Sequence, residues 1–187
     1  MGYRKGELLR QEEYLQLLRG LDVDFSRYLA ANALTCNLCE AVITGGSALV
    51  LHGCLERATK DVDFIELSNV LNKYLRTRQD KILNSASQVF LYNFPEDFLD
   101  RIVPVAELQT KIRYYLVSLE DLVVSKMASY RDKDIQDVRN PEVVKRLDFG
   151  LLDRLIEEKA ETALNKTASS ILRAMYRQYL SDPAQTK

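Results

Sequence analysis

The sequence predicts an α/β or α+β layer fold, with a small mixed sheet of about four strands flanked by helices. Three observations predict it. Helical patterns occupy both ends of the 187-residue chain, strand patterns occupy its middle, and no long linker separates them. We expect a single domain over residues 1–187, with a core at about 41–140 and a helical C-terminal segment at about 141–180.

Composition supports an ordinary globular protein, with 47% hydrophobic and 28% charged residues. The net charge of −1 does not indicate strong non-specific binding of nucleic acid, although a local basic patch stays open. No apolar run approaches the ~20 residues that span a bilayer. The charged N-terminal segment MGYRKGELLRQEEYLQ lacks a signal-peptide pattern. We therefore expect a cytoplasmic protein with no membrane partner.

The first elements follow from hydrophobic spacing. Leucines among charges at residues 8–21 predict an amphipathic helix that ends near Gly20, and DFSRYLAANALTCNLCE predicts a second helix begun by Asp24 or Ser26. The short apolar run AVIT predicts a buried strand that stops at Gly45. SALVLHGC then predicts a helix, with Ser47 as its N-cap and Gly53 near its end.

The middle of the chain alternates between strand and helix patterns. KDVDFIEL predicts a strand, and SNVLNKYLRTRQDKILN a helix capped by Ser68. Two further strands are predicted near 88–94 and 97–105. A helix over 118–140 opens with a capping box at Ser118 and Asp121, and one or two closing helices follow Pro141.

The three cysteines are Cys36, Cys39 and Cys54. An odd number argues against a disulfide framework. The CxxC formed by Cys36 and Cys39 has no second pair at zinc-like spacing, so we interpret the thiols as structural rather than as a redox or metal site. The single histidine, His52, is likewise interpreted as structural.

The stretch GGSALVLHGCLERATKDVDF carries the strongest functional signal. Gly45 and Gly46 let the backbone approach a phosphate closely, and a helix N-terminus presents free N–H groups. By itself this pattern is also that of an ordinary strand-to-helix turn. Asp61 and Asp63, at i and i+2 on a strand, would put two carboxylates on one face. Two carboxylates and phosphate oxygens suit Mg²⁺.

This stretch resembles the signature of the DNA polymerase β-like nucleotidyltransferase superfamily, Gly-Gly-Ser, a helix, and then Asp-x-Asp on a strand. Lys60 stands where the superfamily usually has an apolar residue. Arg57 and Thr59 match a branch that includes abortive-infection toxins. The resemblance implies that Asp61 and Asp63 hold one or two Mg²⁺ ions. It also implies a third acid on a later strand, for which Asp100 is the first candidate and Asp97 the alternative.

A second block, LEDLVVSKMASYRDKDIQDV, resembles the same branch through a helical lysine followed by Arg and Lys-Asp-x-x-Asp. On one continuous helix, residues 126, 130, 133 and 137 fall on one stripe, with Asp134 offset from it. A solvated stripe of ion pairs is the alternative interpretation of this block alone. The positions carried over are Lys126, Arg131, Lys133, Asp134 and Asp137.

The resemblance implies a Mg²⁺-dependent nucleotidyltransferase that moves a nucleoside monophosphate from an NTP to RNA, protein or a small molecule. The setting it implies is a bacterial toxin–antitoxin or phage-defence system, with a cognate antitoxin as a possible partner. The expected catalytic residues are Asp61, Asp63, Asp100 and Lys126. The expected nucleotide-binding residues are Gly45, Gly46, Ser47, Arg57, Thr59, Lys126, Asp134 and Asp137. A non-catalytic nucleotide-binding or protein-interaction module on the same fold is the alternative.

Overall fold

The computed structural model describes residues 8–36, 38–56, 61–78, 82–85, 91–109, 111–129, 131–163 and 166–181. The chain forms two compact units. The first, called the sheet unit, comprises residues 1–87 and 102–117, and the second, called the helical unit, comprises residues 88–101 and 118–187. No helix in the described part of the chain is both long enough and apolar enough to cross a membrane.

Five strands form one mixed sheet within the described part of the sheet unit, in the order β3-β2-β1-β5-β4. They are β1 (Cys39–Thr44), β2 (Val62–Leu67), β3 (Leu83–Ser85), β4 (Val103–Gln109) and β5 (Ile112–Leu116). β1 pairs antiparallel with β2 and parallel with β5, β2 is parallel to β3, and β4 is antiparallel to β5. The predicted mixed α/β class is thereby confirmed, with one short strand more than expected.

The two strands predicted near 88–94 and 97–105 are wrong in type or in bounds. Within the described residues of the segment 88–94, residue 91 is helical and turns follow it. Residues Phe98–Arg101 form a 3₁₀ helix, so β4 begins only at Val103. The interior strand β5 was not predicted, although Ile112, Tyr114 and Leu116 alternate as buried residues along it.

A single helix, α1 (Gln11–Ala31), replaces the two predicted near the N-terminus. Gly20 lies inside it, where an added Cβ would meet nothing within 4 Å. Glycine costs a helix about 1 kcal/mol relative to alanine. That cost is smaller than the gain from the buried stripe of Leu18, Leu21 and Phe25, which continues past exposed Gly20 without interruption.

Polar contacts from α1 tie it to β5. The Oδ1 atom of buried Asp22 accepts a hydrogen bond from the backbone N–H of Ile112 at 2.9 Å, and Tyr114 Oη donates to the Leu18 carbonyl. Two further helices lie in the described part of the sheet unit, α2 (Gly45–Leu51) and α3 (Asn69–Thr77). The predicted end of α3 was too late, since residues 83–85 belong to β3.

The helical unit contains five α-helices in its described residues: α4 (Leu119–Ser129), α5 (Asp132–Val138), α6 (Pro141–Val144), α7 (Phe149–Glu161) and α8 (Lys166–Leu180). The capping box predicted at the start of α4 is confirmed in part, because Ser118 Oγ accepts from the Asp121 N–H. One continuous helix over 118–140 was predicted, and that prediction is wrong. Arg131 has extended backbone angles and separates α4 from α5.

Candidate active site

The turn after β1 is in direct contact with β2. β1 ends at Thr44, which pairs with Asp63 in the antiparallel register. Gly45 follows with φ +71°, a left-handed conformation that side chains disfavour. A Cβ atom placed on Gly45 would lie 2.9 Å from Asp63 Oδ2. The glycine is therefore required twice, once by the backbone angle and once by the carboxylate that lies against it.

Asp61 directly precedes β2, and Asp63 is its second residue. Val62 and Phe64 are almost completely buried, whereas both aspartates are only half-buried. This alternation places the two carboxylates on the same face, as the sequence predicted. Both also lie close enough to the Tyr14 hydroxyl to affect it. Burial raises the pKa of Tyr14 first, and the charges of Asp61 and Asp63 raise that pKa further.

Tyr14 is a residue of this site that the sequence analysis missed. It belongs to α1 and is completely buried. A protonated phenol is a hydrogen-bond donor, so it suits a position beside two carboxylates. The sequence signal was weak, because a tyrosine on the apolar stripe of a helix is typical of an ordinary core residue.

Ser47 does not cap α2, contrary to the prediction. The helix begins two residues earlier, with Thr44 as its N-cap residue. Ser47 is buried, and its Oγ donates a hydrogen bond to the Thr44 carbonyl at 2.9 Å. Its hydroxyl therefore stabilises the turn itself. Gly46 lies in the first turn of α2, and Arg57 and Thr59 lie outside the described residues.

The donor chemistry at Asp61 and Asp63 fits Mg²⁺, which binds one or two carboxylates and completes its shell with water and phosphate oxygens. Across the described ranges, no group of three or more His, Cys, Asp or Glu side chains is arranged to hold a metal ion.

The candidates for a third acid lie in the helical unit. Asp100 belongs to the 3₁₀ helix rather than to a strand, and its side chain is exposed. Asp97 accepts two hydrogen bonds from Arg101, at 2.6 and 2.8 Å. Arg101 also donates to both carboxylate oxygens of the completely buried Asp121. The guanidinium holds the pKa of Asp97 below its ordinary value, so Asp97 already has a structural partner.

Lys126 and two aspartates of the second block form a compact cluster. Lys126 Nζ donates to Asp134 Oδ1 at 2.8 Å and to Asp137 Oδ2 at 2.7 Å. Lys126 and Asp134 are 7% and 3% exposed, so their charges are largely withdrawn from water. Ser129 Oγ and Arg131 Nε donate to the other oxygen of Asp134, at 2.5 and 2.6 Å. We call these five residues the Lys126 cluster.

The break between α4 and α5 changes which residues meet. Asp134, predicted to be offset from the stripe, lies at the centre of the Lys126 cluster, whereas Lys133 is exposed. Tyr130 lies outside the described residues. Burial alone would raise the pKa of Asp134, but hydrogen bonds from Lys126 and Ser129 and the lysine charge outweigh burial and lower it. Asp134 is therefore held as a carboxylate.

Cysteine and histidine contacts in the sheet unit agree with structural roles. Cys39 is buried at the start of β1, and its Sγ lies 2.9 Å from that of Cys36. Burial and the hydrogen bond with Cys36 raise the pKa of Cys39 to about 12. His52 Nε2 lies 2.8 Å from the Val117 carbonyl oxygen, which only accepts, so this nitrogen carries the proton.

The model of one known protein family matches residues 17–186 of the chain. The matching family model carries the description "Nucleotidyltransferase of unknown function (DUF6036)". The match covers most of the chain, including the Gly45 turn, Asp61, Asp63 and the Lys126 cluster. No curated protein and no solved structure matches the chain.

Proposed function

Because the chain belongs to the family described as nucleotidyltransferases of unknown function (DUF6036), we propose that it transfers a nucleoside monophosphate from an NTP to an acceptor with the help of Mg²⁺. The single observation that carries this proposal is the contact between Gly45 and Asp63. A backbone turn without side chains and a carboxylate are adjacent there, which suits a triphosphate and its cation.

In the proposed reaction an acceptor oxygen attacks the α-phosphorus of the NTP. The new P–O bond forms as the bond to the β-phosphate breaks, and pyrophosphate leaves while the acceptor loses its proton. Bound Mg²⁺ would supply charge neutralisation on the phosphates. The residues that would hold it are Asp61 and Asp63. The backbone N–H groups of Gly45 and Gly46 would bind the outer phosphates.

Tyr14 would keep the two carboxylates in place. The charges of both carboxylates act on its buried hydroxyl and help to raise its pKa, so the phenol stays protonated and can donate a hydrogen bond at the site. Ser47 would act by stabilising the turn, since its hydroxyl donates a hydrogen bond to the Thr44 carbonyl.

Two residues of the helical unit, Lys126 and Asp100, are part of the proposal because of the charges of their side chains. Lys126 is the cation proposed to neutralise phosphate charge, and Asp134 and Asp137 hold its ammonium group in place. Asp100 is proposed as the third acid, which would assist removal of the acceptor proton. It is exposed and has no hydrogen bond or ion pair within the described part of the chain beyond backbone contacts.

The acceptor class and the cellular setting are proposed from the sequence resemblance alone. RNA ends and protein hydroxyls are the acceptors to be tested first, and the net charge of −1 favours neither. A role as the toxin of a bacterial toxin–antitoxin or phage-defence pair, with a cognate antitoxin as partner, belongs to the same proposal.

The direct experiment incubates the full chain with each α-labelled NTP, Mg²⁺ and either total RNA or lysate protein, and then identifies the labelled species. We expect label in one acceptor class, none after chelation of the metal, and at least about a hundredfold less with Asp63→Asn. Glu12→Gln, which removes an exposed carboxylate of α1, serves as the matched control. Wild-type labelling by Asp63→Asn would contradict the proposal.

A nucleotide-binding protein without transfer activity is the second candidate function. It is favoured by the observation that, among the described residues, no third acidic group joins Asp61 and Asp63. This candidate predicts that Mg²⁺ tightens NTP binding although no label reaches any acceptor. Asp100→Asn and Asp97→Asn, compared in the labelling assay, show whether either carboxylate takes part.

A further inference from the structure

The helical unit contains a cavity of about 260 Å³ that the proposed reaction does not use. Its walls are mostly apolar. Met127 and Ala128 of α4 line it together with Ile171 and Leu172 of α8. One water molecule takes up about 30 Å³ in the liquid, so the cavity is roughly as large as nine water molecules. An NTP is larger and carries far more charge than such a lining suits.

One cation, Lys159 of α7, lies in this apolar lining. Its side chain is half-buried, and its ammonium group has no hydrogen bond or ion pair with any residue in the described ranges. Among the described residues that line the cavity, none is a carboxylate. Burial lowers the pKa of Lys159, while the charge of nearby Glu96 acts in the opposite direction. The ammonium group is thus partly desolvated, and among the described residues it has the charge of Glu96 but no hydrogen-bonded partner to offset this loss.

The remaining polar lining is uncharged. Among the described residues it consists of the Tyr92 phenol, the Asn93 amide and the Thr162 hydroxyl, which can orient a ligand but carry no charge to compete with one. A concave apolar lining with a few polar groups is the usual composition of a small-molecule site. The charge of Lys159 then selects which small molecules fit best.

We propose that this cavity is a binding site for a small amphipathic monoanion, in which a carboxylate pairs with Lys159 and an apolar body fills the space beside Met127, Ile171 and Leu172. Medium-chain aliphatic carboxylates and aromatic carboxylates share this chemistry. The site is independent of nucleotide transfer, because none of the residues proposed for transfer lines it.

Isothermal titration of the full chain with octanoate and with benzoate tests the proposal and separates the two sources of the carboxylate. We expect at least one to bind, with octan-1-ol and octylamine binding at least about tenfold more weakly. Lys159→Met should weaken carboxylate binding by at least about tenfold. Lys73→Met, which removes an exposed lysine of α3, should leave it unchanged.

Ala163→Leu is the second variant, since it adds a larger side chain to the cavity wall without touching the lysine. It should also reduce carboxylate binding, while the thermal midpoint of each variant shows that it is folded. The proposal is overturned if neither carboxylate binds, if octylamine binds as tightly as octanoate, or if folded Lys159→Met or Ala163→Leu binds the carboxylate like the wild type.

Discussion

Gly45 and Asp63 are neighbours in space although 17 residues separate them along the chain, since a Cβ on Gly45 would lie 2.9 Å from Asp63 Oδ2. The antiparallel pairing of Thr44 with Asp63 brings them together. The distance leaves no room for a side chain at Gly45 unless the carboxylate moves. A substitution there therefore reports on the site and on the fold together.

Gly45→Ala should lower the free energy of unfolding by at least about 1 kcal/mol, because alanine is strained at positive φ. It should also reduce the proposed nucleotide transfer by more than tenfold, because it would displace the carboxylate that is proposed to hold the cation. Gly20→Ala is the matched control, since it lies in open space within α1 and should stabilise by about 0.5–1 kcal/mol. Urea denaturation and the labelling assay measure both effects. Equal behaviour of the two variants would refute the role of the close contact.

Lys126→Met should destabilise the protein by about 3–5 kcal/mol, because it leaves the carboxylates of Asp134 and Asp137 without the ammonium group that they share. Lys145→Met is the control, since Lys145 is exposed and, among the described residues, its ammonium group pairs only with half-buried Glu142. It should change the free energy of unfolding by less than about 1 kcal/mol. Chemical denaturation compares the two, and a loss of similar size in both would contradict the cluster.

The free energy of unfolding should depend on pH through the ionisation of the Asp134 carboxyl group. Its pKa in the folded protein lies below the ordinary 3.8, so its stabilising contribution is complete above 3.8 and is lost as the pH falls through the folded pKa. Asp134→Asn should therefore be less stable near neutral pH and show a flatter decline from about pH 5 to about pH 2. Asp132→Asn, at an exposed position of the same helix, should keep the wild-type slope. Denaturation at several pH values provides the measurement.

The three cysteines should differ in reactivity. With a pKa raised to about 12, the Cys39 thiol stays protonated near neutral pH, and it is buried. Cys54 is also buried, whereas Cys36 is partly exposed. Iodoacetamide should therefore modify Cys36 first in the native protein and all three thiols in denaturant, as peptide mass spectrometry would show. Early modification of Cys39 would indicate a reactive site instead.

Arg101→Met should be strongly destabilising, by about 3–5 kcal/mol, because it leaves the completely buried Asp121 carboxylate without its two hydrogen bonds from the guanidinium. Asp97→Asn removes the charge on the exposed side of the same arginine and should cost less than about 1 kcal/mol. Thermal and urea unfolding of both variants would reveal the asymmetry, and its absence would contradict the buried pairing.

Much of the sheet unit near the site followed from short-range patterns. The run before Gly45, the glycines, and the alternation of Val62 and Phe64 with Asp61 and Asp63 are each local properties, and the structure agrees with them. β5 did not follow, because its place between β1 and β4 depends on pairing with distant segments. The continuity of α1 also escaped prediction, since buried contacts outweigh the helix propensity of Gly20.

The sequence by itself determined the α/β class, the glycine turn and the pair of aspartates on one face, because backbone sterics and side-chain alternation act over a few residues. Only the tertiary structure decided that the charges of that pair act on buried Tyr14 and that a break at Arg131 places Asp134 against Lys126. It also assigned Arg101 to Asp97 and Asp121. The reason is that buried charges and polar groups take partners according to three-dimensional proximity, which spacing along the chain does not specify.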